Sequence, residues 1–204
     1  MSEQIQSIRD DIAFLKSMAA DDGPVPRMVG WQFAAPGLIY GPATILAWAI
    51  IRGLIPLPQS FAGTLGLWPT LIYLPVLVLL ILASRRPPAG TATRAMAGAW
   101  SGVGLTTLSM LAVIFIAGAK LHVPGMWQVW TSICFSLWGA GWWAFAVLRR
   151  DKRWFLVAVG SLLNAVVNAC LIGTPEQILG TGIGIFCWLT GPGLVIALQP
   201  RPRA

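Results

Sequence analysis

Long apolar stretches alternate with short polar segments along the chain after residue 28. Six such stretches cover residues 29–51, 67–84, 95–119, 127–148, 154–174 and 178–199, and none contains an acidic, basic or histidine side chain. An α-helix needs about 20 predominantly apolar residues to cross the hydrocarbon core of a bilayer. The pattern therefore predicts six membrane-spanning helices.

A closed β-barrel is the other architecture that satisfies backbone hydrogen bonds in lipid. Its strands alternate apolar and polar residues over about 10 positions, whereas residues 74–82 read LPVLVLLIL without a polar side chain. The predicted fold is therefore all-α, a polytopic membrane protein built as a bundle of six transmembrane helices. The pattern divides the chain into an N-terminal cytoplasmic segment (1–28), the transmembrane domain (29–199) and a short cytoplasmic tail (200–204).

The N-terminal segment has a different periodicity, with apolar residues at spacings of three and four. This spacing places them on one face of an amphipathic helix over residues 3–20. We call this face the N-terminal seam; it comprises Ile5, Ile8, Ile12, Leu15 and Ala19. Two heptads are too few to hold a coiled coil alone. The seam is expected to dock onto a partner or a second copy, or else to pack on the protein's own loops or on the lipid surface.

Composition and charge support a membrane protein and predict its orientation. Of 204 residues, 56% are hydrophobic and 10% are charged, against about 45–50% and about 25% in soluble domains. The net charge of +7 does not indicate a nucleic-acid partner, because the basic residues cluster at the ends of the predicted helices. All of them except Arg52 and Lys120 fall on one side of the predicted topology, and basic residues favour the cytoplasmic side. Both termini are therefore predicted to be cytoplasmic, and no cleavable signal peptide is expected.

The fifth stretch carries the most informative polar residues. Asn164 and Asn168 are four residues apart and share one helix face, with Ser161 beside them. An amide that faced lipid would lose its hydrogen bonds at a large free-energy cost. Both amides are therefore expected to face either another helix or a wet cavity that a small solute could follow.

Glycine, proline and tryptophan recur within the predicted spans. Three pairs match the GxxxG helix-packing motif, namely Gly37/Gly41, Gly98/Gly102 and Gly180/Gly184. Since 22 glycines produce about two such pairs by chance, the pairs are interpreted only as sites of close packing. Residues 191–193 (GPG) predict a break or bend in the sixth span. Most of the 11 tryptophans lie near span ends, where indoles favour the headgroup level.

Cysteine and histidine give no sign of a metal site or a cofactor. Cys134, Cys170 and Cys187 lie within predicted spans without a zinc or CxxC spacing, and they are expected to be small buried apolar residues. His122 is the only histidine, and it is expected in an exposed loop.

Catalysis also has little support. Beyond the first 22 residues the only acidic side chains are Asp151 and Glu176, which the predicted topology places on opposite sides of the membrane. Acid–base and nucleophilic catalysis require such groups close together. The protein is therefore predicted not to be an enzyme, and the spans lack the ionisable residues that mark ion-coupled pumps.

Three segments carry a resemblance: residues 8–15 (IRDDIAFL), 35–41 (APGLIYG) and 192–195 (PGLV). In these segments and in its six-span pattern, the chain resembles a group of small, uncharacterised six-span inner-membrane proteins of alphaproteobacteria. The resemblance implies a bacterial inner-membrane location and carries over no active site.

The sequence favours a non-enzymatic accessory or scaffold subunit that acts through helix–helix contacts, as a homo-oligomer or within a larger membrane complex. The alternative is a channel or facilitator for a small neutral solute that passes near Asn164 and Asn168. A third hypothesis is a protein that binds a lipid, a quinone or a pigment among its tryptophans.

Overall fold

The computed structural model of the protein describes residues 25–83, 91–123 and 125–199, together with the positions Gln6, Arg9, Asp10 and Ile12. Within these residues the regular secondary structure is helical and no strand is present. In chain order the elements are α1 (Arg27–Ile51), α2 (Gln59–Thr64), α3 (Trp68–Ala83), α4 (Thr91–Leu121), a 3₁₀ turn (Met126–Gln128), α5 (Val129–Arg149), α6 (Lys152–Cys170), α7 (Glu176–Ile185), a π turn (Phe186–Thr190) and α8 (Gly191–Ala197).

Six helical segments of the described chain are long and apolar enough to cross a membrane, which confirms the all-α class and the predicted number. These segments, called the first to sixth spans, are Arg27–Ile51, Gln59–Ala83, Thr93–Leu121, Met126–Arg149, Lys152–Cys170 and Glu176–Ala197. The amphipathic helix predicted over residues 3–20 lies almost entirely outside the described residues.

Two span boundaries differ from the sequence pattern by more than two residues. The pattern starts the second span at residue 67, whereas the structure begins it at Gln59, because the mixed residues 59–64 (QSFAGT) form the short helix α2 after Pro58. The pattern ends the fifth span at residue 174, whereas α6 ends at Cys170. The chain turns there with Gly173 at a φ of 87°, a conformation that favours glycine.

Four spans form the centre of the bundle and two lie at its edge. The helices α5 and α6 pack extensively against each other, as their short connection predicts, and α1 packs along the whole sixth span. The helix α3 packs on α1, and α4 packs on α5. In each of the four central spans, 28% to 44% of the residues in an apolar stretch of 18 residues are buried, against 6% in the second and third spans.

Small residues let α1 and the sixth span approach at backbone distance. They recur along one face of α1 at spacings of four, three and four, and we call them the glycine row: Gly30, Ala34, Gly37 and Gly41. A Cβ added at Gly193 of α8 would lie only 2.5 Å from the Ala34 backbone nitrogen and 2.8 Å from the Gly30 carbonyl oxygen. Further along α1 the row meets Thr190 and then Phe186, so the two segments run antiparallel.

A tryptophan from α5 stabilises the π turn in the sixth span. Pro192 has no backbone N–H, so it cannot donate the bond that the Trp188 carbonyl would accept in a regular α-helix. The indole Nε1–H of Trp142 donates to that carbonyl at 2.8 Å, and the Trp142 side chain is fully buried. The break predicted at residues 191–193 is therefore a π turn just before them, after which the helix continues.

Candidate functional site

The predicted polar face of the fifth span lies inside the bundle, between α5 and α7. The Ser161 hydroxyl donates to the Phe135 carbonyl oxygen of α5 at 2.8 Å. On the α7 side, the Thr181 hydroxyl donates to Asn168 Oδ1, also at 2.8 Å. Ser161 and Asn168 are both fully buried. These polar residues therefore connect the fourth, fifth and sixth spans to one another.

Asn164 lies one turn before Asn168 and is only partly buried. Its main-chain oxygen accepts a hydrogen bond from Asn168 Nδ2 at 2.9 Å. Its own Nδ2 is buried against Gly184, and it has no hydrogen-bond partner among the described residues. A Cβ at position 184 would overlap the Asn164 amide and the Phe135 ring, so any larger residue there would force these side chains to move. The structure thus brings Asn164, Asn168 and Ser161 together, with Thr181 as the partner that the sequence prediction missed.

Thr181 could have been found from the periodicity of α7. Gln177, Thr181 and Gly184 are spaced by four and three residues and so share the face that meets α5 and α6. Gln177 Nε2 donates to the Gln128 carbonyl oxygen at 2.7 Å and extends the polar contacts to the beginning of α5.

The two acidic residues outside the N-terminal segment lie at opposite ends of α6. Asp151 precedes α6, while Glu176 follows it and pairs with Arg52 at the end of α1. A helix of 19 residues is about 29 Å long. The two carboxylates therefore lie at opposite ends of this helix and do not share a site. We call the end of the bundle that carries Arg27 and residues 149–153 the basic end.

Aromatic side chains fill the core next to the basic end. They come from the first, third, fourth and fifth spans and comprise Phe33, Trp100, Trp142, Phe145 and Trp154. The Trp142 and Trp154 rings stack with centroids 5.4 Å apart and planes 9° apart. Trp142 and Trp154 are buried, so these two indoles fill core space rather than lie at a surface.

A cleft of about 640 Å³ opens at the basic end, between α6 and the sixth span. Its walls are largely apolar and include Trp154, Val157 and Val195, and its deepest residue along the sixth span is Cys187. The charged side chains in its lining are Arg149, Asp151 and Arg153. This combination of an apolar interior with charged groups at one end was not predicted from the sequence.

Asp151 organises the mouth of this cleft. Its carboxylate caps α6 by accepting a hydrogen bond from the Arg153 backbone N–H at 3.0 Å, and it also accepts one from Arg153 Nε at 3.2 Å. The backbone hydrogen bond, followed by the side-chain bond and the nearby positive charges, lowers the pKa of Asp151 below its ordinary value. Before it, Arg150 adopts a left-handed conformation with φ of 51°, which allows the tight reversal between α5 and α6.

The remaining candidate residues form no common site in the described structure. Of the N-terminal seam, Ile12 is 48% exposed, whereas Ile5, Ile8 and Leu15 lie outside the described residues. The expectation of three buried cysteines is wrong for two of them, since Cys134 is buried but Cys170 and Cys187 are exposed on the bundle. Among the described residues, no group of three His, Cys, Asp or Glu could hold a metal ion. His122 is exposed at the end of α4.

Comparison of the chain with protein-family models, with curated proteins and with solved structures gave no significant match.

Proposed function

We propose that this chain is an integral protein of the bacterial inner membrane, with six spans and both termini in the cytoplasm. Large apolar side chains are exposed on separate helices, including Leu79 at 65%, Leu105 at 71% and Leu156 at 73%. Soluble monomers rarely expose contiguous apolar surface on this scale, whereas lipid covers it at no cost. The concentration of arginine and lysine at the basic end supports a cytoplasmic position for that end.

Within the membrane, we propose a non-enzymatic accessory or scaffold protein that acts through helix–helix contacts. The observation that carries this proposal is the outward face of α4. Five small residues are exposed on this face, with the exposed Leu105 between the third and the fourth: Gly98, Ser101, Gly102, Ser109 and Ala112. A Cβ added at Gly98 or Gly102 would meet nothing within 4 Å. Small residues at such positions let a second transmembrane helix approach closely, so this small face of α4 is the proposed contact surface.

The opposite side of α4 supports this assignment. Met96 and Ile114 are buried, and Trp100 packs edge-on against Trp142 of α5 at 5.0 Å. One side of α4 thus packs on the bundle, while its exposed side carries the small residues together with large ones such as Leu105 and Leu108. The second span is equally uncovered, but residues 71–82 contain no glycine or serine, and its surface suits lipid contact.

The channel alternative receives less support from the same residues. A path past Asn164 and Asn168 would need an opening between α6 and α7. Instead, Asn168 is fully buried and hydrogen-bonded to Thr181, which favours a role in holding the helices together.

The accessory role is tested by the size and composition of particles extracted in mild detergent. We expect the protein to elute as a homo-oligomer or to co-purify with another membrane protein in a fixed ratio. A monomer without a co-purifying partner, extracted from native membranes, would contradict the proposal.

Matched leucine substitutions locate the contact. Gly102→Leu adds a large side chain to the small face of α4, whereas Ala140→Leu adds the same side chain to an exposed position on α5. We expect Gly102→Leu to dissociate the assembly and Ala140→Leu to leave it intact. Equal behaviour of the two variants would remove α4 as the contact surface.

A further inference from the structure

We propose that the cleft at the basic end binds one anionic phospholipid, with its phosphate at Arg149 and Arg153 and an acyl chain between α6 and the sixth span. This proposal goes beyond the accessory role and rests only on the proposed membrane location.

The charges at the mouth of the cleft complement a phosphodiester. Among the described residues that line it, the charged side chains are two arginines and one aspartate, so basic groups outnumber acidic ones there. Asp151 engages Arg153 through Nε, while the Nη groups of Arg153 form no hydrogen bond or ion pair with another described residue. Guanidinium groups bind phosphate oxygens through two parallel N–H bonds. Basic pockets between transmembrane helices on the cytoplasmic side bind anionic headgroups for this reason.

The depth of the cleft favours a lipid over a soluble anion. Along the sixth span the lining runs from Gln199 at the mouth to Cys187, and twelve residues of helix rise by about 18 Å. One leaflet contributes about half of the 30 Å hydrocarbon core, or about 15 Å. The cleft therefore extends through one leaflet, and a phosphate alone would occupy only its mouth.

The shape of the sixth span keeps the cleft open. At the end of the cleft near Cys187, the Trp188 ring lies against Gly160 of α6 and holds the two spans in contact. Nearer the basic end, Gly191 has no side chain, and a Cβ there would meet only the Phe186 carbonyl oxygen, at 3.5 Å. The apolar wall includes Val195, which is 60% exposed. An acyl chain would cover this surface.

The experiment is native mass spectrometry of the full chain in mild detergent, with added phosphatidylglycerol or phosphatidylcholine of identical acyl chains. We expect about a fivefold preference for phosphatidylglycerol, because a basic side chain near an anionic lipid contributes about 1 kcal/mol, which corresponds to about that ratio of affinities. The double variant Arg149→Gln/Arg153→Gln should bind both lipids equally. The matched control is Arg150→Gln/Lys152→Gln, which removes the same charge from the same turn at two positions that do not line the cleft.

Two exposed cysteines locate the bound lipid within the same protein. Cys187 lines the cleft, and Cys170 lies at the far end of α6. Phosphatidylglycerol should slow the alkylation of Cys187 by N-ethylmaleimide several-fold relative to that of Cys170. Inorganic phosphate should not reverse this protection beyond the effect of sodium chloride at equal ionic strength.

The proposal is overturned if the two double variants lose the lipid preference equally, because the preference would then reflect general surface charge. It is also overturned if Cys187 is not protected, or if inorganic phosphate displaces the lipid specifically. The membrane location is checked separately, by asking whether detergent is needed to release the protein from vesicles. A protein that needs detergent but shows no lipid preference refutes only the lipid site.

Discussion

The contact between α1 and α8 gives the sharpest prediction for the stability of the bundle. Gly193 of α8 faces the glycine row, and a Cβ there would lie 2.5 Å from the Ala34 backbone nitrogen and 2.8 Å from the Gly30 carbonyl oxygen. Non-bonded heavy atoms pack well at about 3.5 Å, so Gly193→Ala must push the two backbones apart by up to about 1 Å. Because backbone atoms cannot rotate away as a side chain can, the whole helix pair has to move.

The cost of this movement can be estimated. Overpacking a tight contact usually costs about 1–3 kcal/mol, and the higher helix propensity of alanine returns at most about 1 kcal/mol. Since the clash is with backbone atoms, the upper part of that range applies, about 2–3 kcal/mol. After the propensity gain, we expect Gly193→Ala to lower the free energy of unfolding by about 1–2 kcal/mol. Gly104→Ala is the matched control, because nothing lies within 4 Å of a Cβ at that exposed position of α4. It should leave stability unchanged or raise it by up to about 1 kcal/mol.

Both variants can be measured by titrating sodium dodecyl sulfate into mixed micelles and following tryptophan fluorescence. The signal is suitable because Trp142 and Trp154 stack in the core. If Gly193→Ala unfolds at the same detergent fraction as the wild type, or if Gly104→Ala loses as much stability, α1 and α8 do not pack at backbone distance.

Three further predictions use the same unfolding assay. Trp142→Phe removes the indole N–H that donates to the Trp188 carbonyl oxygen. It should lower the free energy of unfolding by about 1–3 kcal/mol, because that buried carbonyl loses a hydrogen bond. The control Trp143→Phe, at a 48% exposed position, should change stability by less than about 0.5 kcal/mol. Thr181→Val removes the hydroxyl that donates to Asn168 Oδ1. It should lower the free energy of unfolding by about 0.6 kcal/mol, typical of a hydrogen bond between transmembrane helices. An unchanged stability would mean that this pair does not hold α6 to α7. Asp151→Ala should cost about 1 kcal/mol through loss of the helix cap. Since the folded state lowers the pKa of Asp151, its stabilisation is present above the unfolded pKa and lost as pH falls through the lower folded pKa, and Asp151→Asn should abolish that pH dependence while keeping the cap.

The six helices were predictable because the signal for each is local. A continuous apolar run in lipid must satisfy its own backbone groups, and a helix does so within the run. Prediction failed where composition is mixed, as in residues 59–64, since a short helix of small and polar residues leaves no apolar run. The polar face of α6 was also predictable, because Asn164 and Asn168 lie four residues apart on a helix that was already assigned.

The partners of those residues were less accessible to sequence reasoning. Whether a glycine contacts another helix depends on which helix lies opposite, and three similar pairs have different surroundings. Gly37/Gly41 meets the sixth span closely, Gly184 meets the Asn164 amide, and Gly98/Gly102 meets nothing within 4 Å. The cleft at the basic end depends in the same way on the separation of two helices, which no spacing along one chain specifies.

The position of each span, at the centre or at the edge of the bundle, follows its mean hydropathy. The second and third spans are the most apolar, with mean hydropathies of 2.3 and 2.0, and they are the least buried, at 6% each. The four central spans have mean hydropathies of 1.3 to 1.6 and bury 28–44% of the same windows. In a bilayer, contact with lipid costs an apolar helix nothing, whereas small and polar residues gain contacts and hydrogen bonds only against other helices. The least apolar spans therefore form the centre of this bundle. By the same argument, the small residues exposed on α4 are the exception among the outer surfaces, because lipid gives them no close packing. A second helix would supply the close packing, which is the physical reason to look for a partner there rather than on the leucine-rich second span.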